Sequence, residues 1–427
     1  MNRRTFLRAA VAALAIGAAR PKSPELRITR IFVQTAKGRR LTPVAPNAYA
    51  PYRGYDASEP VVRIQTAQGL EGIGRSAAKH EMLKALLGRD PFTFFRWEGD
   101  HIVGASEERK DMLLQLFGSD VAILDLIGKA LKRPIADLLG KRLRDQVRVY
   151  DSSLYMEDLL KPAELSGVAY LKEPSPDDPA ERVARKALWV IRQPEGINIL
   201  KIKIGRAKWM DSFDAALERD IAVVKAIRRA VDSEITLFVD GNDGYTSRPL
   251  AAADFAEAAA DAKVYAMEEM FPEDNVADLR EVKRRMRAAG VSTKLADGEN
   301  RRDGIPQKIC AEVFRGPRGE EPLFDIEQAD MNANGYLRMQ AIAGERAKFR
   351  MTVAPHNFGS KLGFWSQVHL GLVTPNWEFC ETDDSQFPAL SPEGIQIKKG
   401  VASLTGAPGL GVILDESKLE RPSAIIE

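Results

Sequence analysis

From residue 146 onward the chain alternates short apolar runs with longer stretches of helical period. ILKIKIG (Ile199 to Gly205) precedes the amphipathic DAALERDIAVVKAIRRAV, ITLFVD precedes AADFAEAAADA, and VYAMEE precedes the charged DLREVKRRMRAAG. TKLADGE, FDIEQAD, FRMTVAPH and NWEFCE then continue the series. Short apolar runs bounded by turn residues read as buried strands, and windows with apolar positions three and four apart read as amphipathic helices. Repetition of this unit predicts an α/β protein with a parallel sheet, most simply a closed (β/α) barrel. A doubly wound open sheet is the alternative, but no G-x-G-x-x-G follows a first strand, so dinucleotide binding has no support.

The apolar runs stop on chemically capable residues. ITLFVD ends at Asp240, VYAMEE at Glu268 and Glu269, and TKLADGE at Glu299. The intervals (268 − 240 = 28 and 299 − 268 = 31) are each one βα unit. In βα barrels the chemistry sits at the C-terminal ends of the strands, so three carboxylates converge on one rim. Converging carboxylates repel unless a cation joins them, and a hard oxygen set suits Mg2+, with Mn2+ as the other candidate. The next two runs end at Asp330 and His356, where a carboxylate on a neighbouring strand can orient an imidazole and raise its basicity. NWEFCE brings Glu381 and Glu378 to the following strand, and the run alone does not say which faces inward. His369 falls in a helical segment and reads as packing; His80 and His101 have no partnered motif.

Lys201 and Lys203 fit the same frame. Residues two apart on a strand share a face, so both ammonium groups point toward the acids. A neighbouring Lys201 is expected to lower the pKa of Lys203 toward a useful general base. Lys203 and His356 would then flank the metal from opposite sides. That arrangement suits removal of a proton next to a carboxylate, with the metal neutralising the enediolate.

Composition narrows the classes. The 427 residues carry 62 Lys plus Arg against 60 Asp plus Glu, so no nucleic-acid footprint is present and an anionic ligand must be held locally. That length predicts two or three domains. Cys310 and Cys380 are too few for a disulfide framework or a zinc cluster, and whether they pair cannot be read. At the N-terminus, NRRTFLR precedes the apolar run Ala9 to Ala19, too short for an ordinary membrane span. Arg3 and Arg4, followed by Thr5, Phe6 and Leu7, resemble a twin-arginine export signal. A signal peptide over 1–19 and a periplasmic destination are expected, with no stable membrane span after processing.

Taken together and in order, LKIKIG, FVDGNDGY, MEEMFPED, ADGEN, the Asp330 and His356 strands, VVRIQTAQGLEGIGRS, the stretch Ala122 to Ser153 and the closing GAPGLGVILD resemble the enolase superfamily, specifically its mandelate racemase/muconate lactonizing branch and the mandelate racemase subgroup. Sites of that superfamily pair a Lys or His base with Mg2+. The resemblance implies Asp240, Glu268 and Glu299 as metal ligands, Lys203 and His356 as acid/base groups, Lys201 as the group that tunes Lys203, Asp330 as the group that orients His356, and Glu381 as a further acid near the substrate. It implies a modified TIM barrel over 146–390, an α+β capping domain over 24–145, a C-terminal segment 391–427 that returns to the cap, and a homo-oligomer. Met270 stands where the family commonly has proline, NANG replaces a glycine pair after Asp330, and the spacing of Lys203 from Asp240 (240 − 203 = 37) points to an insertion around RAKWMDSF. In this family cap loops choose the substrate; here they are Lys37 to Tyr55 and the turn near Arg75.

The function these readings favour is dehydration of a sugar acid to a 2-keto-3-deoxy acid. A racemase or epimerase of a 2-hydroxy acid needs the same bases, and an exported binding protein that keeps the fold without turnover is the third reading.

Overall fold

The computed structural model describes residues 25–76, 78–109, 118, 120–165, 167–171, 178–300 and 322–427. The export-type segment and Cys310 lie outside the described residues; Cys380 is a buried free thiol. The chain opens with an antiparallel sheet of β1 (Ile28–Val44), β2 (Gly54–Thr66) and β3 (Glu71–Gly74). Register pairs Ile31 with Ile64 and Val33 with Val62, and the face carrying Ile31, Val62 and Ile64 is buried. The helix Asp120–Leu131 lies against β3 because Gly72 and Gly74 leave room for its backbone: a Cβ would stand 2.2 Å from the Ala122 carbonyl at Gly72 and 2.5 Å from the Ala122 nitrogen at Gly74. A hairpin of β4 (Phe95–Glu98) and β5 (His101–Ala105) follows.

The barrel is built from β6 (Gln146–Leu154), β7 (Ile199–Lys203), β8 (Thr236–Asp240), β9 (Val264–Glu268), β10 (Lys294–Asp297), β11 (Ile326–Glu327), β12 (Thr352–Val353) and β13 (Cys380–Thr382). Each of β6 to β11 pairs in parallel with the next. A parallel bridge of Val353 with Trp377 and the pairing of β13 with β6 close the ring. The helix Phe213–Ala230 typifies the outer layer. Ser212 caps its first turn by accepting from the Ala215 N–H, and Val223, Val224 and Ile227 face inward, each contributing roughly 1.5–3 kcal/mol by burial. No described helix is long and apolar enough to cross a membrane.

The remaining strands tie the chain's end to both parts. β14 (Ser385–Gln386) joins β1, and β15 (Leu390–Pro392) pairs with β18 (Val412–Leu414). The hairpin of β16 (Ile395–Lys398) and β17 (Val401–Leu404) lies antiparallel on β6, and β19 (Ala424–Ile426) returns to β1 with Ile426 opposite Ile31.

Period two along the strands sorts the barrel interior into layers. Tyr150, Ile199, Phe238, Ala266, Ala296, Ile326, Ala354 and Phe379 form one apolar cluster inside the ring. Two residues further along these strands come Ser152, Lys201, Asp240, Glu268, Gly298, Gln328, His356 and Glu381. An apolar plug at one end and a polar layer above it therefore follow from the same alternation.

Candidate active site

Lys201 is 1% exposed and sits among three carboxylates: both oxygens of Glu268 at 2.9 and 3.0 Å, Glu381 at 3.1 Å and Asp240 at 3.3 Å. Lys203, one step nearer the mouth, bonds Oδ2 of Asp240. Two lysines can thus share one face of a strand because acids from strands β8, β9 and β13 interleave with them. The expected lowering of Lys203 by Lys201 is overturned. Burial and Lys201 do push its pKa down, but Asp240 in direct contact, with Glu299 and Glu268 behind it, raises it above the ordinary lysine value. Lys201 is raised well above that value because Glu268 and Glu381 outweigh its burial.

The acids respond to this crowding unequally. Burial, then the charge of Asp240, lifts Glu268 to about 8, and burial with Glu299 and Asp240 lifts Glu269 to about 9. Asp240 itself is held below the usual carboxylate range, its burial outweighed by Lys203 and Lys201. Burial raises Glu381 as well, yet Lys201 and His356 bring it down to about 2. Its Oε2 accepts the Asn357 backbone N–H at 2.7 Å. Glu378 instead pairs with Lys294, which opens β10, at 3.0 Å. The structure therefore brings Glu381, and not Glu378, to the lysines.

His356 Nδ1 lies 2.7 Å from Oδ2 of Asp330, while the other oxygen of Asp330 caps the helix Met331–Ala347 by accepting from Ala333. The carboxylate is fixed at both oxygens and fixes the ring in turn. His356 Nε2 points to Glu299 Oε2 at 3.2 Å. Burial alone would lower the imidazole, but Glu299, Asp330 and Glu381 outweigh it and hold it well above its ordinary value.

Several supporting groups escaped the sequence reading. Gln328 donates to Glu268 at 2.7 Å, and Asn242 and Asn300 donate to the two oxygens of Glu269 at 3.2 and 2.7 Å. Amides carry no motif of their own; only the layer position of Gln328, two after Ile326, offered a signal.

Asp240, Glu268 and Glu299 offer an all-oxygen donor set in which burial and the charges of Asp240 and Glu299 push Glu268 upward. Asn242 Oδ1 is buried and accepts no hydrogen bond from the described residues, and Glu299 Oε2 has the His356 imidazole Nε2 3.2 Å away. A hard divalent cation fits such a set. Lys201 and Lys203 occupy oxygens of Glu268 and Asp240, and with the side chains so placed no group of three or more His, Cys, Asp or Glu among the described residues is arranged to hold a metal ion.

One cavity of about 130 Å³ is lined by Lys203, Asn242, Glu299, His356 and Phe358 from the barrel and by Val44, Asn47, Tyr49 and Arg53 from the β1–β2 loop. The loop is pinned there: Trp209 Nε1 donates to the Asn47 carbonyl at 2.7 Å, and Lys208 Nζ to that of Tyr49 at 2.8 Å. Both donors come from the segment RAKWMDSF.

Known proteins resemble this chain in sequence and in fold. D-galactarolactone cycloisomerase of Agrobacterium fabrum is 26% identical over 321 residues, 72% of this chain and 73% of its own length. D-gluconate dehydratase of Thermoproteus tenax is 24% identical over 381 residues, 84% of this chain and 69% of its own. Among solved structures, a mutant galacturonate dehydratase from Geobacillus sp. complexed with Mg superposes with a TM-score of 0.76 at 23% identity, covering 94% of this chain and 95% of that one. The model of the family described as enolase C-terminal domain-like matches residues 182–418, more than half of the sequence. The chain belongs to that family, within the enolase superfamily and among its mandelate racemase-like members.

Proposed function

We propose that the protein is a Mg2+-dependent sugar-acid dehydratase. The observation that carries this reading is the single cavity in which Lys203, Glu299 and His356 meet beneath the β1–β2 loop. The relatives named as D-gluconate, D-xylonate and D-galactonate dehydratases support the substrate class. Asp240, Glu268 and Glu299 would hold the cation. Once bound, it supplies positive charge that offsets both these acids and the substrate carboxylate whose α-carbon loses a proton.

The chain's own groups do the rest. Lys203, which its contact with Asp240 keeps charged here, would become the base once Asp240 exchanges that contact for a bound cation and the ammonium gives up its proton; its Nζ then takes the α-proton, and the C–H electron pair passes toward the carboxylate. His356, protonated and oriented by Asp330, gives its proton to the 3-hydroxyl; the C3–O bond breaks and water leaves. The resulting enol takes up a proton at C3, gives up the proton on its C2 oxygen and becomes the 2-keto-3-deoxy acid. Lys201 offsets the charge of Glu268 and Glu381 throughout, and the pinned β1–β2 loop limits water at the reacting carbons. Export through a twin-arginine signal is part of the proposal and rests on Arg3, Arg4 and the apolar run after them.

The test is incubation with Mg2+ and a panel of aldonic, aldaric and uronic acids in deuterated water, followed by proton NMR and a 2-keto acid assay. A keto-deoxy product is expected. Exchange of the α-proton without a new product would overturn dehydration in favour of racemisation or epimerisation, and neither signal with any acid would overturn both.

A further inference from the structure

The reaction cavity is small for its proposed substrate. Its volume is about 130 Å³, below the roughly 300–1,000 Å³ usual for a ligand pocket, and a six-carbon acid extends beyond it. A groove of about 860 Å³ shares lining residues with it and is reached past Tyr49 and Asn242. We propose that this groove is a second sugar subsite, so that the enzyme accepts sugar acids carrying a further glycosyl unit on O4, beyond the reacting C2 and C3. This inference rests on the sugar-acid reading of the cavity.

The groove's chemistry is that of a neutral, hydroxyl-rich ligand. Its lining includes Tyr49, Lys208, Asn242, Thr246, Ser247 and Asn300. Tyr49 is 55% exposed, an aromatic face of the kind that stacks on the C–H face of a pyranose. Its position is set, not free: the Asn47 side chain accepts the Tyr49 and Ala50 N–H groups at 3.2 and 2.7 Å, and Lys208 holds the Tyr49 carbonyl. Lys208 and Asp243, the one cation and the one carboxylate among the described residues of this lining, offset each other, which favours a neutral ligand over a second anionic group. Thr246 donates its hydroxyl proton to the Asp243 carbonyl at 2.6 Å, which leaves its oxygen as an acceptor for a ligand hydroxyl, and Ser247 is exposed beside it. The turn that presents these groups has Asn242 and Asp243 both at positive φ, 42° and 60°. Such a conformation is uncommon for residues other than glycine and gathers at binding sites. A glycosyl unit on O4 leaves the C2 proton and C3 hydroxyl free, so the elimination proceeds as before and the glycosidic bond stays intact.

The experiment compares full-length protein, loaded with Mg2+, on aldonic acids and on their 4-O-glucosyl and 4-O-galactosyl derivatives, by keto acid formation and by calorimetric binding. Ser247→Trp fills the groove at a residue outside the reaction cavity. It is expected to lower kcat/KM for the glycosylated acid at least tenfold, mainly through KM, while the unsubstituted acid changes less than threefold. Tyr49→Ala is expected to weaken the glycosylated acid more than the unsubstituted one. Turnover of aldonic acids with rejection of every glycosylated one, or equal loss of both in Ser247→Trp, would overturn the subsite and leave the dehydratase reading standing. Groove-dependent binding of the glycosylated acids without turnover of any acid would support the subsite and overturn the dehydratase reading; absence of both binding and turnover would overturn the two together.

Discussion

Replacing Lys201 with methionine removes the one ammonium that touches Glu268, Glu381 and Asp240 at once. Its contribution can be worked from Glu381, which it helps hold at about 2 against an ordinary 4.5. At about 1.4 kcal/mol per pKa unit, a fall of that size is on the order of 3 kcal/mol of folded-state stability at neutral pH. For a carboxylate lowered by folding, that stability is present above 4.5 and is lost as pH falls toward 2. Breaking a buried ion pair by deleting one partner costs about 3–5 kcal/mol in general, which agrees. Urea unfolding followed by circular dichroism, at pH 7 in EDTA, should show Lys201→Met less stable by that amount, a midpoint shift on the order of 1 M for a slope of about 3 kcal/mol per molar. The difference between variant and wild type should shrink as pH is lowered through the acid range. A variant within about 0.5 kcal/mol of wild type, the ordinary range of inconsequential substitutions, would refute the assignment of Lys201 as counter-ion to these acids.

Mg2+ at 100 times its dissociation constant should stabilise the wild type by about 2.7 kcal/mol, and a melting series should show that gain vanish in Asp240→Asn. Burial lowers His369 to about 4, with Ala136 N–H donating to its Nδ1 and Nε2 bonded to the Leu410 carbonyl. For an imidazole kept neutral by folding, stability is full above the ordinary 6.5 and falls as pH drops toward 4, by about 3 kcal/mol in all; His369→Gln should flatten that part of the urea-stability profile. Trp209→Phe deletes the bond to the β1–β2 loop, worth about 0.5–1.5 kcal/mol, and should raise KM about two- to tenfold with little change in kcat.

The barrel and most of its polar layer were legible because alternation along a strand is a local property. Apolar runs marked β7 to β13, and the residue that ended each run marked the mouth. The same alternation, carried from Phe379, separates Glu381 from Glu378, a choice the NWEFCE run left open only because its inward residue had not been fixed by a neighbour. What local pattern could not show was charge balance. The Lys201 partner Glu268 lies 67 residues away in sequence, and the sign of the Lys203 shift depends on Asp240 touching it and not only on Lys201 beside it. Likewise the hold of the segment after LKIKIG on the β1–β2 loop spans 159 residues and appears only in the fold.

The roles of Lys203 and His356 are separated by following the α-proton and the keto-deoxy product together, by NMR in deuterated water with Mg2+ and a substrate acid, in the wild type, Lys203→Ala and His356→Asn. Lys203→Ala should lose both α-proton exchange and product by ~100-fold or more, the scale of general acid–base catalysis. His356→Asn should still exchange the α-proton but form no keto-deoxy acid. Product formation at the wild-type rate by either variant would contradict these assignments.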